Sequence, residues 1–586
     1  MNLLWIVLPC AVVLTIAYFT YGRLLAHLFR LDPNKQTPAE KLNDGVDYEP
    51  LKASSLLPQH FSAIAAAGPI VGPIVAGVTF GWLPALIWIL IGSIFIGGVH
   101  DMSALVASVR HRATSIAMVV REHMSGLSYT LFLTFIWIAL VYIIVAFTDV
   151  TAGSFIAVAK QDAGNVSGGA IATSSLLYLL LPIVMGLLMK FAKMPLWLAT
   201  VVFVPLVGVA IWVGQYMPFE VGAIFNLTPG NARKVWDVAL LSYCLVAGMV
   251  PVWMLLQPRG HLGGYFLYAA LGAGAIGLCF GGVESKYPAF LGWEVKDAQG
   301  GINTLFPALF IMIACGACSG FHSLIASGTT SKQLKRETDA RPIGYGSMLL
   351  EAMVALISLC CVMMFAHKAP ELDGNSPNMI YAQGIGKFMQ VISTNPAFAT
   401  FAISFGLMAF TTFVYDTLDV CTRLGRFILQ ELTGQHNFGG MLFGTALTAG
   451  VPLFFLLRHD SSPGVAPVWR TFWNLFGASN QLLAALTLLG VTVWLWRTRR
   501  AWWVWIVTGI PTVWMYAMSA WALIALTWPK FYADGKWQLP NDVVPWAGLV
   551  LMVLAAVMLF EAIRVIATLG DPPAPQPDFD AKPATA

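Results

Sequence analysis

The stretch from Gln59 to Gly77 is long and apolar enough to cross a bilayer, yet it carries two Gly-Pro steps, Gly68-Pro69 and Gly72-Pro73, near its centre. Proline removes a backbone donor and crowds the preceding turn, so carbonyls in such a helix lose their intrahelical partners. At membrane depth those groups persist only where protein or a water-filled cavity satisfies them. The pattern predicts a helix that breaks inside the membrane, the device from which secondary transporters build midplane sites.

The remainder of the chain makes a membrane the only solvent that fits. Of 586 residues, 58% are apolar and 11% charged, against about 45–50% and 25% in soluble domains. At about 20 apolar residues per crossing, about fifteen spans are predicted, near residues 2–22, 60–80, 83–108, 128–148, 171–189, 196–214, 236–256, 262–282, 304–326, 346–366, 397–417, 439–457, 474–494, 502–526 and 544–566. The fold class expected is an all-α polytopic membrane protein.

Basic residues gather in alternate connections: Arg110, Arg112 and Arg121; Lys190 and Lys193; Lys332, Lys335, Arg336 and Arg341; Arg497, Arg499 and Arg500. That places the larger share of the 33 Lys and Arg residues on one side. The positive-inside bias then puts the N-terminus outside and the C-terminus in the cytoplasm. The first apolar stretch runs into Arg23 and Arg30 and not into a small-residue cleavage site, so it is expected to remain as an anchor.

Four regions follow: an anchor helix and cytoplasmic loop (1–59), a core (60–494), accessory helices (495–570) and a proline-rich tail expected to be disordered (571–586). Net charge of only +4 gives no reason to expect nucleic acid. The expected partners are membrane lipid and a small-molecule substrate, and nothing in the sequence fixes an oligomeric state. The cysteines, Cys315 and Cys318 among them, sit in apolar runs and read as small buried hydrophobes.

A second irregular span runs Ala314-Cys-Gly-Ala-Cys-Ser-Gly-Phe-His-Ser323 and on to Ser331, with Gly316, Gly320 and Gly328 weakening the helix. Seven crossings separate it from the first broken span, so the two should run in opposite directions, as inverted repeats require. The alternative is that its small residues only allow close helix packing.

Where half-helices begin, main-chain N–H groups and partial positive charge suit a carboxylate. Candidate substrate contacts are therefore Gly68, Pro69, Gly72 and Pro73 at the first break and Ser319, Gly320 and Ser323 at the second, with His60 and His322 tuning the site. Candidate ion-coupling residues are Thr411, Thr412 and Asp416 at the end of the eleventh span, where a carboxylate in apolar surroundings needs a cavity or partner. Asp101, beside His100 in the third span, joins them as a paired carboxylate. The competing readings are that Thr411 and Thr412 bond back to their own helix and that Asp416 and Asp419 sit at the cytoplasmic mouth near Arg423.

The amides of Asn474, Asn480 and Gln481 suit bridging between helices. No catalytic or cofactor motif stands out, so a non-enzyme without a bound cofactor is expected, coupled to Na+ or H+. A haem protein using His60, His100 and His322, and a passive channel, are the rival classes.

Four stretches together resemble the carbon starvation protein A (CstA) family: His60 to Pro73, Ala314 to Gln333, Asp416 to Arg426 and Leu475 to Leu483. The resemblance covers about residues 40 to 490. It implies a LeuT-like inverted-repeat core and uptake of peptides or pyruvate across the bacterial inner membrane during carbon starvation. His100 stands where a different polar residue is expected, so fold transfers better than substrate.

Overall fold

Apolar segments of this length become helices because hydrocarbon offers backbone polar groups no other partner. The computed structural model describes all residues except 45–47, 66, 157, 160–165, 252, 297–301, 374, 460–464, 466, 534 and 569–586. The tail expected at 571–586 lies outside the described residues. Among those described, 12 helices are long and apolar enough to cross a membrane, or up to 13 when the bent pair Ala53–Ile64 and Gly68–Phe80 is taken as one span.

Two of the predicted spans fall outside that test. One is the helix Pro229–Met249, whose first half carries Arg233, Lys234 and Asp237. The other, 304–326, is interrupted: Leu305–Met312 ends at Ile313, and helix resumes as Gly320–Ile325. A buried helix, Pro377–Met389, had not been foreseen. Short antiparallel hairpins, such as Glu294–Lys296 with Ile302–Thr304, close some of the connections.

The first break lies just before the Gly-Pro steps and not at them. Helix Ala53–Ile64 stops at Ala65, and Gly68 already begins the next helix. Pro69 sits in that helix's first turn, where its missing N–H had no intrahelical partner to lose. The two interruptions share one geometry, with Ala65 at φ −77°, ψ 64° and Ile313 at φ −99°, ψ 61°, close to an inverse γ-turn. The two axes of the first broken span meet at 46°.

The glycines of the Gly-Pro steps bring the two broken spans together. A Cβ on Gly68 would lie 2.2 Å from Cys315 Sγ, and one on Gly72 would lie 2.4 Å from the Met312 carbonyl oxygen. As residue number rises from 68 to 72 its partner falls from 315 to 312, so the spans are antiparallel, in the opposed sense the sequence predicts. The helix Val468–Arg499 lies on the second broken span with Gly477 against the Ile311 carbonyl, and Gly320 fits against Asn480 and Ala484. Its apolar stretch is enclosed by protein. Outer helices such as Leu196–Tyr216 and Val543–Ala567 turn large apolar side chains outward, Trp197, Trp212 and Phe560 among them. This is the surface of a multi-pass membrane protein.

Candidate functional site

Beside the first break, three ionisable side chains share one buried place. Arg259, in the first turn of the helix Leu256–Phe280, sets its Nε 2.8 Å from Asp416 Oδ1 and its Nη1 against Asp419 Oδ2. The Tyr243 hydroxyl donates to the same Asp419 oxygen at 2.8 Å, and the Ser62 hydroxyl donates to Asp416 Oδ2 at 2.5 Å. Asp416 and Asp419 lie one turn apart on the long helix Pro396–Thr433, which aims both carboxylates at one guanidinium. Arg259 is 1% exposed and Asp416 6%. Charges so enclosed persist only as a set, because removal of one partner strands the others.

A cavity of about 60 Å³ opens onto this set, lined by Gln59, His60, Arg259, Thr330, Asp416 and Asp419 among others. His60 Nδ1 is 2.8 Å from Thr330 Oγ1. Its Nε2 is buried with no hydrogen-bond partner among the described residues. Thr330 closes a π-helical turn, Ala326–Thr330, and such turns recur at functional positions.

A second polar set is sealed completely. His100 Nδ1 and His322 Nδ1 lie 2.7 Å and 2.8 Å from the two oxygens of Asp101, and His322 Nε2 lies 3.2 Å from Glu351 Oε2. All four side chains are 0% exposed. Asp101 follows a π turn at Ser93–Gly97, which re-aims the helix Gly98–Arg110 toward the second break. His322 stands on the short helix after that break, and Glu351 on Ser347–Met363. The backbone thus joins Asp101 and His322, two candidates from different parts of the sequence.

The other candidates divide. At the second break, Asn480 takes the Phe321 N–H at 3.0 Å and donates to Ser319 Oγ at 3.0 Å, so the main-chain donor freed there is already engaged. Gln481 donates to the Phe310 carbonyl just before the same break. Ser323 bonds the Gly320 carbonyl and Thr487. Gly68, Pro69, Gly72 and Pro73 are buried in the contact between the broken spans.

Thr411 bonds back to the Met408 carbonyl at 3.1 Å, while Thr412 Oγ1 is buried with no hydrogen-bond partner among the described residues. Asp416 is held by Arg259, and the Arg423 guanidinium donates to the Ala247 and Val250 carbonyls. Arg259 carried no sequence signal beyond a basic residue in a short connection. Glu351, near the start of the predicted span 346–366, was not among the candidates the sequence offered.

Outside the spans, His111 and His123 face each other across a short connection, with their Nε2 atoms 2.9 Å apart. Burial, then the nearby His111 and the Arg497 charge, pull His123 down to about 3, and burial lowers His111 as well. Burial thus disfavours the charged form of both rings.

Interrupted antiparallel spans with ionised residues buried beside them define the class: a multi-pass helical membrane protein whose polar groups serve solute passage and not lipid contact. The chain belongs to the family described as carbon starvation protein CstA, whose family profile matches residues 2–377 and 368–522.

Similar proteins include the peptide transporter CstA of Helicobacter pylori (strain J99), 30% identical and covering 90% of this chain and 82% of that protein. The pyruvate/proton symporter BtsT of Escherichia coli (strain K12) is 31% identical, over 89% of this chain and 81% of its own. A manganese transporter of Eremococcus coleocola of known structure overlaps at TM-score 0.48 with 12% identity, over 90% of this chain and 98% of that one.

Proposed function

We propose that this chain is a proton-coupled secondary transporter that imports a small carboxylate of the pyruvate class, or a peptide through its C-terminal carboxylate, across the bacterial inner membrane. The N-terminus lies outside and the C-terminus in the cytoplasm. The observation that carries the proposal is one buried guanidinium, Arg259, held by two carboxylates at the edge of a cavity.

A substrate carboxylate cannot enter low-dielectric protein without a cation, and Arg259 is already neutralised. A proton on Asp416 frees one face of the guanidinium, and the substrate takes the vacated position. The exchange moves one anion and one proton together, with no net change in buried charge. Arg geometry suits this role, since its fork can hold two carboxylates and it stays charged throughout.

His60, on the cavity wall, supplies a free ring nitrogen to the substrate or the proton. The Asp101–His322–Glu351 set is a second proton store. Gly68, Gly72 and Gly320 serve by letting the two broken spans and their neighbour meet closely enough to rock as one body. The relatives' names support both solutes, and the chemistry common to both is the carboxylate.

The test is uptake of labelled pyruvate and of dipeptides into proteoliposomes with an imposed pH or sodium gradient. Concentrative uptake driven by inward-directed protons is expected. Asp416→Asn should retain solute exchange between the two faces and lose the response to the pH gradient. Uptake indifferent to both gradients overturns the coupling.

A further inference from the structure

Where the helix Tyr21–Leu28 ends, positive charge collects without enough negative charge to match it. Arg110, the last residue of Gly98–Arg110, donates to the Phe29 and Arg30 carbonyls at 2.6 Å and 3.1 Å and sets its Nε 2.8 Å from Glu337 Oε1. The other Glu337 oxygen takes the Asp32 N–H at 2.9 Å, and Asp32 turns its own carboxylate to the Asn34 N–H. Arg499, the last residue of Val468–Arg499, lies near Arg30 and Arg110. Just beyond it the Trp503 ring meets Phe29 edge-on at 6.1 Å. Among the described residues, neither Arg30 nor Arg499 has a carboxylate at ion-pair distance. Exposed Trp502 and Trp505 follow, as at a membrane–water interface.

An apolar groove begins beside this cluster. Its lining includes Tyr21, two turns before Phe29, and Ile506, three residues after Trp503. From there it runs past Phe95, Trp88, Phe310 and Trp514, with a volume of about 980 Å³ and no charged residue in its wall. Between Phe95 and Leu83 it follows one helix for about 18 Å at ~1.5 Å per residue, longer than the ~15 Å of a single leaflet. A cationic end joined to a long apolar trough matches one kind of ligand, an anionic phosphodiester followed by hydrocarbon. A helix from a second copy could fill the trough but would have to bring an acidic end to Arg30 and Arg499.

We propose that this surface binds one anionic phospholipid, with its phosphate between Arg30 and Arg499 and an acyl chain in the groove. The site is separate from the solute site, and on the orientation proposed above the lipid belongs to the cytoplasmic leaflet. Its chain lies against the second broken span. Phe306 and Phe310 line the groove, and Trp88 donates its Nε1 at 3.2 Å to the carbonyl of Ile313, where that span stops. The lipid therefore bears on the break as well as on the surface.

The experiment is native mass spectrometry of the delipidated full chain in detergent, titrated with phosphatidylglycerol or with phosphatidylcholine of the same acyl chains. One phosphatidylglycerol should bind at least about tenfold more tightly than phosphatidylcholine. Arg499→Gln should weaken it about fivefold, and Arg30→Gln combined with Arg499→Gln about 25-fold. Lys536→Gln, at an exposed basic residue on a separate hairpin, should change nothing. Ile510→Trp, which fills the groove and leaves the charges in place, should weaken binding at least about tenfold. Equal affinity for the two lipids, or equal affinity in the native and doubly substituted proteins, overturns the headgroup site. Unchanged binding in Ile510→Trp overturns the groove. Displacement of the lipid by millimolar inorganic phosphate would assign the cluster to a free anion, and a dimer that excludes the lipid would assign the groove to a second copy; either result overturns the proposal. Arg30 and Ile510 are exposed, so their variants test the site without disturbing the core.

Discussion

Two of the charged sets buried among the described residues each hold two carboxylates and differ in the cation between them. Around Asp416 and Asp419 the cation is a guanidinium, which keeps its proton at every pH of interest, and a cavity reaches it. Around Asp101 and Glu351 it is an imidazole, a base that can release its proton where a guanidinium does not, and all its members are 0% exposed. A fixed charge beside a cavity suits an anion that arrives from outside. A titratable charge sealed from solvent suits a proton. On the proposed reading the guanidinium set takes the solute in exchange for a proton on Asp416, and the sealed set stores a second proton.

Replacing Arg259 should break this comparison most sharply. Arg259→Gln leaves two buried carboxylates facing each other, and loss of one partner of such a set costs about 3–5 kcal/mol. Thermal melting in detergent should fall accordingly, and uptake per folded molecule should drop more than about 100-fold. Arg259→Lys restores charge without the fork and should recover folding better than transport. Near-normal uptake by Arg259→Gln would remove the guanidinium from the solute site.

The sealed set should respond differently. His322→Gln and Glu351→Gln are expected to lower uptake and to flatten its dependence on external pH, while exchange of solute at equal pH is retained. Loss of exchange together with the pH response would mean that the two sets share one task.

How far this division could be read from the sequence depends on the residue. The two broken spans and their opposed directions were legible, because glycine and proline in an apolar run have few other meanings. The first break was misplaced by a few residues because Gly-Pro can open a helix as readily as end one. Asp416 stood out as a charge in a long apolar helix.

Its partner did not stand out. Arg259 lies at the head of a span in a polar connection, where hydropathy sees a loop and charge counting sees a marker of sidedness. Only packing of Leu256–Phe280 against Ala53–Ile64 and Pro396–Thr433 brings it inside. The Asp101–His322–Glu351 set likewise joins three elements more than two hundred residues apart at its widest, a distance no local pattern spans.

A smaller effect is expected where an amide repairs the second break. Asn480→Ala removes the acceptor for the Phe321 N–H and the donor to Ser319, and loss of such a cap costs about 1–2 kcal/mol. Melting should fall by that amount, and uptake should fall modestly because the half-helix that carries His322 loses its anchor. If the pH response of uptake also shifts, Asn480 and the sealed set act as one unit.

The smallest effect concerns Thr412, and it decides between the two coupling ions. Its hydroxyl is buried with no hydrogen-bond partner among the described residues, a state that costs about 1–3 kcal/mol relative to a satisfied group. Valine has the same shape without that burden. If protons drive transport, Thr412→Val should leave uptake within about twofold of normal and raise stability by up to about 1 kcal/mol. If sodium is the driver and this hydroxyl is one of its ligands, the orphaned oxygen is explained by the ion, and the same variant should lose stability in sodium buffer and lose any stimulation by a sodium gradient. Melting curves in sodium and in choline salts, run beside uptake under each gradient, separate the two, because only a sodium ligand makes the stability change depend on the salt.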